Sequence, residues 1–310
     1  MKIKKPAFWD KPKPNTIAKI LYPISLIYGL FVNFNIKNSH KTFKIKTICI
    51  GNIYIGGTGK SSLSIEIKKI LDKKNFKSCF IKKGNPKYLD EVKLLNKRGY
   101  VYDEKSRLKS LLKAEGDNYN YAIFDDGLHE KDINFDLKIV CFNKKNWIGN
   151  GLMLPAGPLR ESINNIKNYE IVFFVGNNEN CEMYEKFLKK KNDKLKFFNA
   201  EYIPVNIKEL DLEKSYFVFS GIGNHNSFLD MLKNNKVKIV DNIEFPDHYI
   251  YKKNDIKKIV DQAKKNNLGI LTTEKDMQRI DKSYKSDINE IKINLKINNE
   301  EIFSELISKI

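Results

Sequence analysis

Apolar residues recur along this chain at two periods, and the changes of period mark its elements. Residues 43–50 alternate and end in the run Ile48-Cys49-Ile50, as a buried strand does. Residues 63–71 carry apolar side chains at helical spacing. Short apolar runs predict further strands at 76–81, 119–125, 137–142 and 171–175, then a second series at 216–220, 237–240, 268–273 and 288–297. Helices are expected at 88–95, at 104–116, after Asn224, at 253–266 and at 300–310, with an extended connector at 194–205. Strands alternating with helices, twice over, predict an α/β chain of two units. The expected division is 1–205 for the first α/β unit with its N-terminal helix and 206–310 for a smaller α/β domain.

The N-terminal stretch has a different pattern. Residues 1–16 are basic and proline-rich and contain Phe8-Trp9, and residues 17–34 are apolar but interrupted by Lys19, Pro23, Ser25 and Gly29. A membrane-crossing helix needs about 20 apolar residues, and a signal peptide would be followed by a small-residue cleavage site. Neither pattern is met. Lysines, aromatics and an apolar face predict a helix lying in a membrane interface; the alternative is a helix packed on the core.

The first candidate chemistry lies between the predicted strand and helix, in Gly51-Asn52-Ile53-Tyr54-Ile55-Gly56-Gly57-Thr58-Gly59-Lys60-Ser61-Ser62. Strand, glycine loop, Gly-Lys-Ser and helix form the phosphate-binding P-loop arrangement of an α/β/α sandwich. Glycines let backbone N–H groups curl around phosphate oxygens, and the helix N-terminus adds partial positive charge. Gly56, Gly57, Thr58, Gly59, Lys60, Ser61 and Ser62 are therefore expected to hold ATP. Lys60 would reach the β/γ-phosphates, and the Ser61 hydroxyl would bind Mg²⁺. The pattern G-x-x-x-x-G-K-[ST] calls for glycine where Tyr54 stands. Downstream, the apolar strand ending in Asp125-Asp126-Gly127 fits the carboxylates that share the Mg²⁺. Arg160, at the end of the Gly- and Pro-rich loop 149–161, could clamp a phosphate. An Asp247-His248 pair sits in a predicted turn.

Composition narrows the class. Of 310 residues, 41% are hydrophobic and 30% charged, within the globular range. The 56 Lys and Arg against 38 Asp and Glu give +18, which favours polyanionic partners. The lysines are scattered, and neither a zinc-finger spacing nor an RNA-binding aromatic motif is present, so no nucleic-acid partner is expected. Four cysteines lie far apart without a C-x-x-C pair, which predicts core thiols in a reducing compartment.

Six stretches in this order resemble the tetraacyldisaccharide 4'-kinase (lipid A 4'-kinase) family: I-G-N-I-Y-I-G-G-T-G-K-S at 50–61, D-D-G at 125–127, G-N-G-L-M-L-P-A-G-P-L-R-E at 149–161, S-G-I-G-N at 220–224, F-P-D-H-Y at 245–249 and T-T-E-K-D at 272–276. That family likewise lacks glycine at the place of Tyr54. The resemblance implies phosphoryl transfer from ATP to the 4'-hydroxyl of an acylated disaccharide 1-phosphate, at the cytoplasmic face of the bacterial inner membrane. It implies two α/β domains joined by a short two-stranded linker, with an N-terminal helix docking on the membrane. It places Lys60 and Ser61 on ATP and Mg²⁺, with Asp125 and Asp126 as metal-side carboxylates. Asp90 would activate the sugar hydroxyl, paired with His248 from the second domain. A monomer is expected. The chain departs from the family at His129 and Glu130, where Gln and His are usual, and at Lys82-Lys83-Gly84-Asn85, where S-R-G-Y-G is usual. Lys82 or Lys83 would replace the lost arginine. The alternative is a membrane-associated P-loop ATPase or nucleotide switch, which needs Lys60, Ser61 and Asp126 but neither Asp90 nor His248.

Overall fold

The structure is a computed structural model, and it describes residues 5–34, 42–128, 130, 132–177 and 180–310. In chain order the elements are α1 (Thr16–Phe34), β1 (Lys46–Gly51), α2 (Lys60–Lys73), β2 (Ser78–Ile81), α3 (Leu89–Asn96), β3 (Val101–Tyr102), α4 (Arg107–Gly116), β4 (Tyr121–Asp125), β5 (Leu137–Asn143), β6 (Ile171–Val175), α5 (Glu182–Lys189) and β7 (Lys196–Pro204). They continue with β8 (Ser215–Ser220), α6 (His225–Asn234), β9 (Lys238–Glu244), α7 (Lys253–Lys265), β10 (Gly269–Thr273), α8 (Glu274–Met277), β11 (Asn289–Ile291), β12 (Ile293–Ile297) and α9 (Glu300–Ser308).

Two sheets form. The larger has the order β12-β7-β6-β5-β1-β4-β2-β3 and is parallel apart from β12; the smaller has the order β11-β10-β8-β9 and is parallel throughout. Parallel strands bury both faces, which is why their sequences read as continuous apolar runs. In β1, Ile48 and Ile50 face a core shared with α2, α3 and α9, while Cys49 faces the α4 side. In β8, Phe217 and Phe219 pack toward α7, and Tyr216 and Val218 toward α6. Each sheet is therefore the middle layer of an α/β/α sandwich, which the sequence predicts for the phosphate-loop half and, more coarsely as α/β, for the second. All four cysteines are buried.

The chain leaves the large sheet along β7 and comes back along β12, whose residues Ile293–Ile297 pair antiparallel with 204–200. The run 288–297, expected as one strand, is divided at Lys292: β11 closes the small sheet and β12 ends the large one. Phe303 and Ile307 of α9 then enter the core under α2. Local alternation looks the same on either side of Lys292, so only the partner strands decide which sheet each half joins.

Helix α1 packs with its polarity inverted. Ala18 and Ser25 are buried, whereas Ile17, Ile20, Ile24, Ile27, Leu30 and Phe31 are half or more exposed. The Ser25 hydroxyl donates to the Met153 carbonyl (2.9 Å) and accepts from the Ala156 N–H (3.0 Å), and the Tyr28 hydroxyl donates to the Arg160 carbonyl (3.0 Å). The small and polar face thus grips loop 149–161, and the apolar face points outward. No helix of the described residues is long and apolar enough to cross a membrane.

Candidate active site

The phosphate loop grows from the end of β1. Ile50 pairs with Asp125 in the neighbouring strand β4, which brings the carboxylate beside the start of the loop. Gly56 (φ 118°) and Gly59 (φ 87°) adopt the left-handed backbone that favours glycine, and Gly59 caps α2. Tyr54 needs no such freedom and serves another purpose. It is 1% exposed, its hydroxyl accepts from Lys5 Nζ (2.9 Å) and donates to Asp10, and its backbone bridges to Leu159. The residue at the place of the missing glycine therefore ties the loop to the N-terminal segment.

Lys60 and Ser61 open α2. The Ser61 hydroxyl donates to Asp125 Oδ2 (2.8 Å). Asp125 is fully buried, and its other oxygen, Oδ1, has no hydrogen-bond partner; the buried Thr58 hydroxyl has none either. An unpaired carboxylate oxygen beside a serine hydroxyl at the end of a phosphate loop is the donor set a hard divalent cation takes.

The two adjacent aspartates diverge. Asp126 has φ 63°, uncommon for a residue other than glycine, and its carboxylate meets Arg160. Arg160 Nη1 reaches Asp126 Oδ1 (2.8 Å) and Asn52 Oδ1 (2.9 Å). Burial pushes the Asp126 carboxyl up, but Lys60 and Arg160 outweigh it and hold it well below the usual carboxylate range.

The second domain closes over this loop. A Cβ on Gly223 would lie 2.2 Å from the Gly57 nitrogen, so only glycine fits there. Helix α3 meets α8, with Arg98 Nη2 3.2 Å from Glu274 Oε2. Asp90 and Glu91 stand in the first turn of α3. His248, in a left-handed turn (φ 58°), brings Nδ1 to 3.2 and 3.1 Å from the two oxygens of Asp90. Lys275 Nζ lies 2.9 Å from Glu91 Oε1 and 3.4 Å from His248 Nε2, and Arg279 Nε lies 3.5 Å from Asp90. Burial pushes Asp90 up, but the bond from His248 and the charge of Lys275 bring it below its ordinary value. Glu91 falls well below its own, because Lys275 and Lys82 outweigh its burial.

The structure thus joins Ser61 to Asp125, Arg160 to Asp126 and Asp90 to His248. It places Lys82 in the site and leaves Lys83 exposed. Lys82 contacts both Glu91 and Asp125, while Arg160, expected as a phosphate clamp, is held by Asp126 and Asn52. Glu130 pairs with Arg107 (3.4 Å), and His129 lies outside the described residues. Glu91, Lys275, Arg279 and Asn52 had no expected role. Asn52 and Lys275 stood within the recognised stretches, and Glu91 is the chain neighbour of Asp90.

The family model for tetraacyldisaccharide-1-P 4'-kinase matches residues 17–310. The tetraacyldisaccharide 4'-kinase of Pelagibacter ubique is 50% identical over 310 residues, covering 100% of this chain and 99% of that protein. The tetraacyldisaccharide 4'-kinase of Rickettsia canadensis is 32% identical, covering 100% and 98%. The crystal structure of LpxK from Aquifex aeolicus in complex with ATP shares the fold, with a TM-score of 0.68 at 21% identity, covering 95% of this chain and 99% of that one. Phosphate loop, paired carboxylates and near full-length similarity agree, and the chain belongs to the tetraacyldisaccharide-1-P 4'-kinase family.

Proposed function

We propose that the family reaction, transfer of the γ-phosphoryl group of ATP to the 4'-hydroxyl of a tetraacyldisaccharide 1-phosphate, runs in this cleft with a division of labour between its two walls. The observation that carries the reading is the meeting of Ser61–Asp125 with Asp90–His248 across closed domains. Lys60 and the loop amides bind the β- and γ-phosphates. The residues fit Mg²⁺, which Ser61 and Asp125 would hold, and bound there it would neutralise charge on the transferring phosphoryl group. Asp126 steadies Arg160 at the loop's edge. The Asp90–His248 pair accepts the proton of the sugar hydroxyl as its oxygen forms the bond to γ-phosphorus and the bond to the ADP oxygen breaks. Asp90 is 4% exposed in the closed cleft, so the acceptor enters when α3 and α8 part. Closure then excludes water that would hydrolyse ATP.

The test is incubation of the purified protein with ATP, Mg²⁺ and a tetraacyldisaccharide 1-phosphate. The expected product is the 1,4'-bisphosphate, with ADP formation dependent on the acceptor. ADP released at the same rate without acceptor would instead favour a nucleotide switch.

The lipid acceptor also accounts for α1. Six large apolar side chains turned outward, beside the basic segment at 5–13, suit the anionic inner leaflet at the cytoplasmic face. The double change Ile20→Glu and Ile27→Glu is expected to lower co-sedimentation with vesicles containing anionic phospholipid at least about tenfold, since it removes apolar burial and adds repelled charge. Unchanged partitioning would refute the membrane role of this face.

A further inference from the structure

Lys82 follows directly on β2 and continues its ladder, its N–H donating to the Tyr102 carbonyl (3.0 Å). Strand alternation sends its side chain inward and that of Lys83 outward. Its side chain is 5% exposed, and its ammonium group lies 2.6 Å from Asp125 Oδ2, the same oxygen that accepts from Ser61. It also contacts Glu91 Oε2, and it lies 5.8 Å from the centre of the Tyr88 ring. The other Glu91 oxygen pairs with Lys275 of the second domain, which in turn faces His248. Charges of alternating sign therefore run from the phosphate loop to the acceptor pair, Asp125–Lys82–Glu91–Lys275, and Lys82 is where the two halves join.

We propose that Lys82 is a positioning residue that competes with the divalent cation for Asp125 and, by anchoring Glu91, makes filling of the nucleotide half felt at the acceptor half. The proposal rests on the assignment of that cation to Ser61 and Asp125. A cation arriving at Asp125 repels the ammonium group beside it and shifts its hold toward Glu91, whose partners Lys275 and His248 belong to the closing domain. Coupling of this kind is reciprocal, so an aligned acceptor site also favours metal loading.

The test measures Mn²⁺ binding to the ADP-bound protein by the loss of the free-ion electron paramagnetic resonance signal, beside steady-state kinetics. Lys82→Met is expected to bind Mn²⁺ about tenfold more tightly while kcat falls about 30-fold and the KM for ATP stays within about threefold, because the competing charge is gone but Glu91 is no longer held. Lys82→Arg, which keeps the charge and both contacts, is expected to stay within about threefold of wild type in binding and turnover. Should Lys82→Met fail to fold, as judged by circular dichroism, Lys82→Gln is held to the same readouts. Mn²⁺ affinity unchanged or weakened, or turnover within about threefold of wild type, overturns the proposal. Asp125→Asn separates the two readings: weak Mn²⁺ binding there with an unaltered Lys82→Met refutes the role of Lys82 alone. Binding as tight as wild type refutes the metal assignment, and the Lys82 proposal with it.

Discussion

Lys60→Met is expected to lower kcat by about 10³-fold or more, equivalent to about 4 kcal/mol of transition-state stabilisation. In phosphoryl transfer the protein contributes mainly position and charge, so removing the one ammonium at the head of α2 removes a stabilising interaction that nothing adjacent restores. Arg160 is committed to Asp126 and Asn52, and Lys82 to Asp125 and Glu91. Lys60 itself is only half-buried, so stability should change by no more than about 1 kcal/mol. Initial rates with saturating acceptor, together with a thermal melt, make the check. A variant retaining a tenth of wild-type turnover would remove Lys60 from the mechanism.

Asp90→Asn is expected to lower kcat by about 10³-fold, and His248→Ala by about 10²-fold, with the KM for ATP within about threefold in both. The asymmetry follows from the proposed roles: Asp90 would meet the hydroxyl proton, whereas His248, whose Nδ1 contacts both Asp90 oxygens, would orient and polarise it. A rise in KM for ATP with kcat preserved would make the pair a nucleotide-binding feature. Stability gives a second readout. The folded-state value of Asp90 lies below its ordinary 3.8, so its ionised form stabilises the fold. That contribution is complete at pH well above 3.8 and is lost as the pH falls below 3.8 through the folded value. The melting-temperature advantage of wild type over Asp90→Asn should shrink over that acidic range and not near neutrality.

Loss of either residue should also loosen domain closure, because the pair is part of the contact. Asp90 and Glu91 on α3 face His248, Lys275 and Arg279 across it, all largely buried, and removing one member of such a set leaves its partners uncompensated. The closed cleft is therefore an electrostatic assembly as much as a packed one. The left-handed backbones at Asp126 and His248 each cost on the order of 1–3 kcal/mol, and both lie at this site, where they turn a side chain toward its partner.

The sequence by itself determined the alternation of strands and helices, the glycine loop with Lys60 and Ser61, the aspartates closing β4, and the inward-facing strands of both sheets. These are local signals: period, turn chemistry and motif spacing span a few residues each and do not depend on what packs beside them. Only the tertiary structure decided the rest. It split 288–297 between two sheets, because strand partners and not alternation assign a strand. It turned Asp125 to Ser61 but Asp126 to Arg160, because a single left-handed residue separates neighbours in sequence. It gave Tyr54 the work of anchoring the loop to residues 5–10, and set the small face of α1 inward with its apolar face outward. Finally, it brought Lys82 and Glu91 between Asp125 and Lys275, far apart along the chain, because a long-range charge network exists only once the domains that carry it have closed.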